Sequence, residues 1–492
     1  MSASRFVLPV TALAVTLTLG GVILSTGATP AAQAPSEPPA LASSAADQTD
    51  VGLTVYNGGL ALVRDVRNVT LPAGELHLRF EDIAATVNPA TVHLRSLSHP
   101  GLLPVLEQNY EYDLLDPQKL LQKYVGKEVT LVRTTMEAGA TRTTEVKATL
   151  LALNNGPVWR IGSEIVTGIG ADHFRFPELP DTLYSRPTLV WSLDNTGPRA
   201  QKIEAAYLAA DIKWNSDYVL TLDARGGSGD LDGWVTLQNN SGTAFTNAKL
   251  QLIAGDLHKV EGDLGRANFV ADAMKLAESR QEMTQQAFSE YHLYSLARRT
   301  SIHHAETKQL ALLHGQGVPV TRRFVVDGQQ FYYRNRQHPG TPIKDTVKVF
   351  YDFKNAAASS LGMPLPAGTV RVYQTDPNGS VQYVGEDRID HTPKDETVSV
   401  QVGSAFDVVC ERRQTDFKDL GGNTYEFAYE VTVRNHKDTA VAVELNEPIG
   451  GDWTMISSTH TWTKTEAWAA RFTAPVAASG EARVRYRVRV KW

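Results

Sequence analysis

Asp232-Gly233-Trp234-Val235-Thr236-Leu237-Gln238-Asn239-Asn240-Ser241-Gly242-Thr243, followed shortly by Ala248-Lys249-Leu250-Gln251-Leu252-Ile253-Ala254-Gly255-Asp256, is the stretch on which the fold turns. Apolar side chains recur at every second position in 234–237 and again in 248–253, the repeat of a strand whose side chains alternate between two faces. Between the runs, Asn239, Asn240, Ser241 and Gly242 tolerate positive φ or bond their own backbone. The reading is strand, turn, strand.

The same two-residue repeat extends in both directions. Residues 53–56, the Asn57-Gly58-Gly59 turn and residues 60–71 predict a hairpin, which 75–80, 91–97 and 104–110 continue. Residues 116–124 form the one local helix candidate, with Asp116 as N-cap and Pro117 at the first helical position. Alternation returns in 128–133 and 143–153. Pro180, Pro187 and Pro198 then punctuate the chain, which predicts a first β domain over 51–180 and a second over 181–492. In the second, strand-like runs separated by Gly, Pro, Asn and Asp recur about every ten residues, as in sandwiches. Residues 263–288 depart from the pattern: Phe269, Ala273, Leu276 and Ala277 fall at helical spacing, with Lys275, Glu278, Arg280 and Glu282 elsewhere. The expected fold is mainly β, with two β-rich sandwich-like units and one inserted helix in the C-terminal unit.

In the last strand Arg483, Arg485, Arg487, Arg489 and Lys491 alternate with Val484, Tyr486, Val488, Val490 and Trp492, so one face is dry and the other wet. A terminal strand of this kind also closes outer-membrane barrels, which leaves an outer-membrane-associated β-protein as an alternative. Gly226-Gly227-Ser228-Gly229 reads as a loop, because no Lys-Ser/Thr follows it to hold a phosphate.

Several of these segments resemble the bacterial domain-of-unknown-function 4139 family. The resemblance is carried by Gly233-Trp234-Val235-Thr236-Leu237, Asn239-Asn240-Ser241-Gly242, Asn247-Ala248-Lys249-Leu250 and Ala254-Gly255-Asp256. Trp214-Asn215-Ser216-Asp217-Tyr218, Glu290-Tyr291-His292-Leu293-Tyr294, Pro364-Leu365-Pro366-Ala367-Gly368 and His391-Thr392-Pro393-Lys394-Asp395-Glu396 add to it. It runs from about Val51 to the C-terminus and implies a protein distantly associated with mucoidy-inhibitor-type envelope proteins. It implies no activity and no site residue.

Arg5 supplies a short positive n-region, residues 6–24 are almost free of charge, and Thr26, Ala28, Ala32 and Ala34 are small. Residues 1–28 therefore read as a secretory signal peptide, with cleavage as late as 34 also open. The alternative is an uncleaved membrane anchor, since 6–24 approaches the roughly 20 residues that span a bilayer. Residues 29–50, mostly Ala, Pro and Ser, read as a tether without fixed structure. Export to the periplasm or beyond is expected. The net charge of -6 excludes the basic footprint of a nucleic-acid binder. A single cysteine, Cys410, excludes a disulfide framework and a thiolate metal site; it alternates with Val408 and reads as a buried apolar residue.

No HExxH, GxSxG, Walker-type or CxxC pattern is present. The richest constellation is Glu386, Asp387, Asp390, His391, Asp395 and Glu396. Asp387, Asp390, His391 and Asp395 are candidate ligands for a hard cation, which takes six to eight oxygens; His391 is alternatively a base held by a carboxylate. The competing reading is a solvated loop turned by Thr392-Pro393. His303-His304 with Glu306 is a second metal candidate, and His292 reads as a satisfied core histidine. Trp453, Trp462 and Trp468 read either as a sugar-stacking platform or as sheet packing. No catalytic residue and no cofactor are assigned. The expectation is an exported cell-envelope protein acting as a binding or structural module, with an envelope protein or polysaccharide as partner and no nucleic acid. The alternatives are a metal-dependent or hydrolytic periplasmic enzyme and an outer-membrane-associated β-protein.

Overall fold

The computed structural model describes residues 38–111, 115–137, 140–180, 183, 186–255, 283–288, 290–337 and 341–492. The segment read as a signal peptide lies outside them. Strands β1 (Ala40–Ser43), β2 (Gln48–Tyr56), β3 (Leu60–Thr70), β4 (Gly74–Phe80), β5 (His93–Ser96) and β6 (Val105–Glu111) come first. Next are helix α1 (Pro117–Lys123) and β7 (Glu128–Glu137), β8 (Ala140–Ala152), β9 (Val158–Ile161), β10 (Glu164–Thr167) and β11 (His173–Arg175). Then follow β12 (Thr188–Asn195), β13 (Ala200–Ala210), β14 (Ile212–Leu222), β15 (Ser228–Asn239), β16 (Phe245–Ala254), β17 (Met283–Phe288), β18 (Tyr291–Leu296), β19 (Thr300–Ile302) and β20 (Glu306–Asp327). The remainder is β21 (Ile343–Asp345), β22 (Lys348–Lys354), β23 (Gly368–Thr375), β24 (Val381–Ile389), β25 (Thr397–Ser404), β26 (Val408–Gly421), β27 (Thr424–Asn435), β28 (Val441–Pro448), β29 (Asp452–Ser458), β30 (Trp462–Glu466), β31 (Ala469–Val476) and β32 (Glu481–Lys491).

The architecture is mainly β, as the periodicity predicts, but the chain divides elsewhere than expected. Strand β12 lies between β4 and β6, and β13 pairs with both β3 and β5. Strands on either side of Pro180 thus share sheets, and no domain boundary falls there. The prolines mark the chain's return into a sandwich it had left, and a return calls for the same turns as a boundary. What it left to build is a five-stranded sheet, β10-β9-β8-β7-β11, packed with α1 around Tyr124, Val129, Leu131, Leu150 and Trp159. Asp116 caps α1, its carboxylate accepting from Gln118 and Lys119 N–H, as the sequence predicts.

The opening stretch is strand, turn, strand, yet its two strands are not partners. Strand β15 pairs with β14 and β20, whereas β16 pairs with β2 and β18 in another sheet. The turn carries the chain across the core, and buried Asn239 fixes it. Its amide donates to the Thr243 carbonyl (2.8 Å) and the His303 carbonyl (3.0 Å), and its Oδ1 accepts from the Ser241 N–H and hydroxyl. Gly242 sits at φ +89° with Ala85 against it, so a side chain has no room. The large first core this crossing helps enclose contains Phe80, Trp191, Tyr207, Trp214 and Tyr218.

Strand β20 is 22 residues long and serves two sandwiches. Its first half pairs with β15; its second half lies between β22 and β28. The second core lies between β20-β28-β31-β30 and the five-stranded sheet β21-β26-β27-β32-β29. Within it Arg412 is fully buried. Its guanidinium bonds Glu447 twice (2.7 and 3.0 Å), Asp345 (2.9 Å) and the Tyr486 hydroxyl (2.9 Å), while Tyr333 donates its hydroxyl to Glu447 (2.5 Å). Cys410 is buried beside this network, as the alternation with Val408 predicts.

Two further expectations need correction. The tether predicted over 29–50 stops short, because β1 pairs parallel with β4. Arg67 secures it, donating to the Ser43 carbonyl (2.7 Å) while its guanidinium lies over the Phe80 ring. Residues 263–282 of the expected helical insertion lie outside the described residues, and its end, Met283–Phe288, is strand β17 on β18. There the waiting strand edge outweighs local helical preference. The basic face of β32 is wet, as the alternation predicts, and its cations are paired: Arg489 bonds Glu426 (2.8 Å), Arg487 bonds Asp416 (2.6 Å), and Arg485 and Arg413 both bond the buried Glu430. Among the described residues no helix is long and apolar enough to cross a membrane.

Candidate functional site

Within the acidic constellation, the Asp387 and His391 side chains hold structure. Strands β24 and β25 run side by side, and the Asp387 carboxylate bridges them by accepting the N–H of Gln401 and of Arg388, both at 2.8 Å. His391 accepts the Ala367 N–H at Nδ1 (3.1 Å) and turns Nε2 toward the Asn57 amide (3.4 Å), which ties the turn after β2 to the loop before β23. Asp390 is exposed and offers its carbonyl to the Thr392 hydroxyl. Asp395 sits at φ +67° and donates its N–H to Asn355. Among the described residues, no group of three or more His, Cys, Asp and Glu could hold a metal.

The histidine candidates and Trp453 are likewise committed. His304 Nδ1 accepts the Gly242 N–H, and Glu306 accepts the His303 N–H. His292 Nδ1 lies 2.8 Å from the Gln285 amide, and burial, then the nearby His391, hold the imidazole below its usual range. The Trp453 and Trp462 rings pack 5.7 Å apart, and Trp453 donates to the Ala467 carbonyl; Trp468 stands 56% exposed. On edge strand β30, the Lys464 ammonium lies 4.8 Å over the Trp453 ring. A depression of about 440 Å³ between β5 and β6 has Arg95 and Ser96 in its lining, but Arg95 is bound to Glu204 and Ser96 to Gln201.

A second organised polar surface is the outer face of β24-β23-β14-β15-β20. Inward, Tyr218, Leu220, Val235, Val370 and Val372 hold these strands to the core; outward, the register places Arg371 opposite Glu386, and Asp217 opposite both Thr369 and Trp234. Polar side chains join diagonally across all five strands. Glu386 pairs with Arg371 Nε (3.1 Å). Arg371 bonds Asp217 (3.1 Å), Asp217 accepts the Thr236 hydroxyl (2.9 Å), and Thr236 accepts the Gln309 amide (3.3 Å). The Asp217 bond is the main reason the Arg371 pKa rises. At one end of this relay Tyr373 and Tyr383 meet edge to face at 5.5 Å; beside its middle Trp234 stands 39% exposed.

Of the sequence candidates only Glu386 belongs to this surface. Trp234 was nonetheless legible: Asp232, Trp234, Thr236 and Gln238 are the wet phase of the opening stretch, where a tryptophan is out of place. The relay is not, since it joins residues from 217 to 386 through register alone. No family model matches the chain, and no curated protein matches it.

Proposed function

We propose that the chain is an exported cell-envelope protein that acts by binding, and that the face from Trp234 to Tyr383 is its binding surface. Export rests on Arg5, the apolar run over 6–24 and the small residues after it. The resemblance to the domain-of-unknown-function 4139 family belongs to the same proposal. One observation supports the binding: a strand in mid-sheet leaves a tryptophan in water beside a relay of polar groups that hold one another in place. Full burial of a large apolar side chain is worth roughly 1.5–3 kcal/mol, of which Trp234, 39% exposed, forgoes a part, and groups already ordered lose little entropy when a ligand arrives. Asp387 and His391 are occupied by backbone N–H groups, which favours binding over the hydrolytic alternative. The relay and the ion pairs of β32 lie where a lipid-facing barrel would be apolar, which favours a sheet bathed in water.

The test is fractionation with N-terminal sequencing, together with retention of the purified chain on isolated envelope material. A shortened N-terminus outside the cytosol, and retention lost in a Trp234→Ala/Tyr383→Ala variant that melts normally, are expected. Recovery from the cytosol with Met1 intact, or undiminished retention of the variant, would overturn the proposal.

A further inference from the structure

We infer that the Trp234 to Tyr383 face takes an uncharged, hydroxyl-rich oligosaccharide; this rests on the binding reading above and names its ligand. A sugar ring has an apolar C–H face and a rim of hydroxyls, so its receptor needs flat aromatic rings beside ordered hydrogen-bonding groups. Here Tyr373, Tyr383 and Trp234 flank the relay on one open sheet face. Trp234 and Tyr383 are three strand steps apart and about four residues displaced along the strands, a span of about 15–20 Å. That length accommodates several sugar rings.

Charge narrows the choice. Cations do not outnumber carboxylates on the face, with Glu386, Asp217, Asp230 and Asp232 against Arg371, Arg388 and Lys213, and with His314 of β20 paired to Asp232 (2.6 Å). Arg371 is already shared between Asp217 and Glu386. A polyanion, whether nucleic acid or acidic polysaccharide, finds no basic surplus to hold it. A protein partner is disfavoured on different grounds. Its interface core would be depleted of charge, whereas the centre of this face is the Arg371 and Asp217 pair with only Val219 and Ala311 as aliphatic neighbours. Hydroxyls of a neutral glycan, by contrast, donate to carboxylates and accept from the Gln309 and Asn215 amides without displacing a charge.

The test titrates the purified chain with chitohexaose, cellohexaose and maltohexaose, and with an oligogalacturonate as the anionic arm, following tryptophan emission and calorimetric heat. At least one neutral hexamer is expected to bind, the oligogalacturonate is not, and Trp234→Ala and Tyr383→Ala are each expected to weaken binding about tenfold. Trp468→Ala, which removes an exposed ring elsewhere, is expected to leave affinity unchanged. Tighter binding of the anionic oligomer, equal loss in Trp468→Ala, or Trp234-dependent self-association in sedimentation would overturn the inference. If envelope retention depends on Trp234 but no neutral hexamer binds, the ligand class falls and the binding reading stands. If retention is also insensitive to Trp234, both fall.

Discussion

Replacing Arg412 by Met tests the energetics of the second core. The guanidinium is fully buried and meets Glu447 by two bonds, Asp345 by one and the Tyr486 hydroxyl by another. Its removal leaves two carboxylates in an apolar interior with no cation between them. Breaking a buried pair by deleting one partner costs about 3–5 kcal/mol, and with two orphaned acids Arg412→Met belongs at the upper end. Glu447→Gln keeps Asp345 against the guanidinium and should cost about 3 kcal/mol. Tyr333→Phe removes the charge-assisted bond to Glu447 and the bond shared with the Tyr486 hydroxyl, and should cost about 1–3 kcal/mol. The expected order is therefore Arg412→Met, then Glu447→Gln, then Tyr333→Phe. The sandwiches need not unfold together, so the assay is native-state amide exchange read on β26, β27 and β32. An Arg412→Met cost below about 1 kcal/mol at those amides would refute the reasoning, because it would mean the acids re-solvate or take up protons without loss.

Three further outcomes are expected. His292 has a folded pKa below its unfolded value, lowered by burial and then by His391, so its contribution to stability is complete above the ordinary imidazole range near pH 6.5 and is lost as pH falls toward the folded value; melting temperature should fall between pH 7 and 5, and His292→Gln should flatten that slope. Asp387→Asn substitutes a neutral amide for the carboxylate that bridges β24 and β25, and should cost about 1–3 kcal/mol, read as faster exchange confined to those two strands. The Cys410 thiol is pushed up to about 12 by burial, then by Asp345, so one thiol should react with an alkylating reagent in denaturant and none in the native protein; native labelling at the rate of a free thiol would contradict the packing.

What the sequence revealed depended on how local the cause was. The Asn57-Gly58-Gly59 hairpin, the Asp116 cap of α1 and the dry phase of β32 arise from neighbours within a few residues, and each was legible. Partner choice was not. Alternation in the opening stretch states that β15 and β16 each have a wet and a dry side, but says nothing of whose edge each one meets. Pro180, Pro187 and Pro198 announce turns without saying whether the chain departs or returns. Two signals stood in plain view. Counting on from Val408 and Cys410 puts Arg412 on the dry phase, and counting from Val235 and Leu237 puts Trp234 on the wet one. Each residue breaks its phase, Arg412 because a buried network satisfies it and Trp234 on the face assigned to binding. The acidic residues lie close in sequence without converging: the Asp387 carboxylate accepts the Arg388 and Gln401 N–H groups, His391 meets the Ala367 N–H and the Asn57 amide, and the Asp390 carbonyl accepts the Thr392 hydroxyl.

Strand β20 makes the two sandwiches inseparable by simple cutting. A fragment ending before Val320 would leave β22 and β28 without their shared neighbour, and one beginning there would strip β15 of its own. The two halves belong to one strand, with a bulge around Gly315 and Gly317 in the part paired with β15, ahead of the part paired with β22. On the binding reading proposed above, a ligand on the first sandwich would stand on the same strand that builds the second, so that the protein would serve as a ruler as well as a grip.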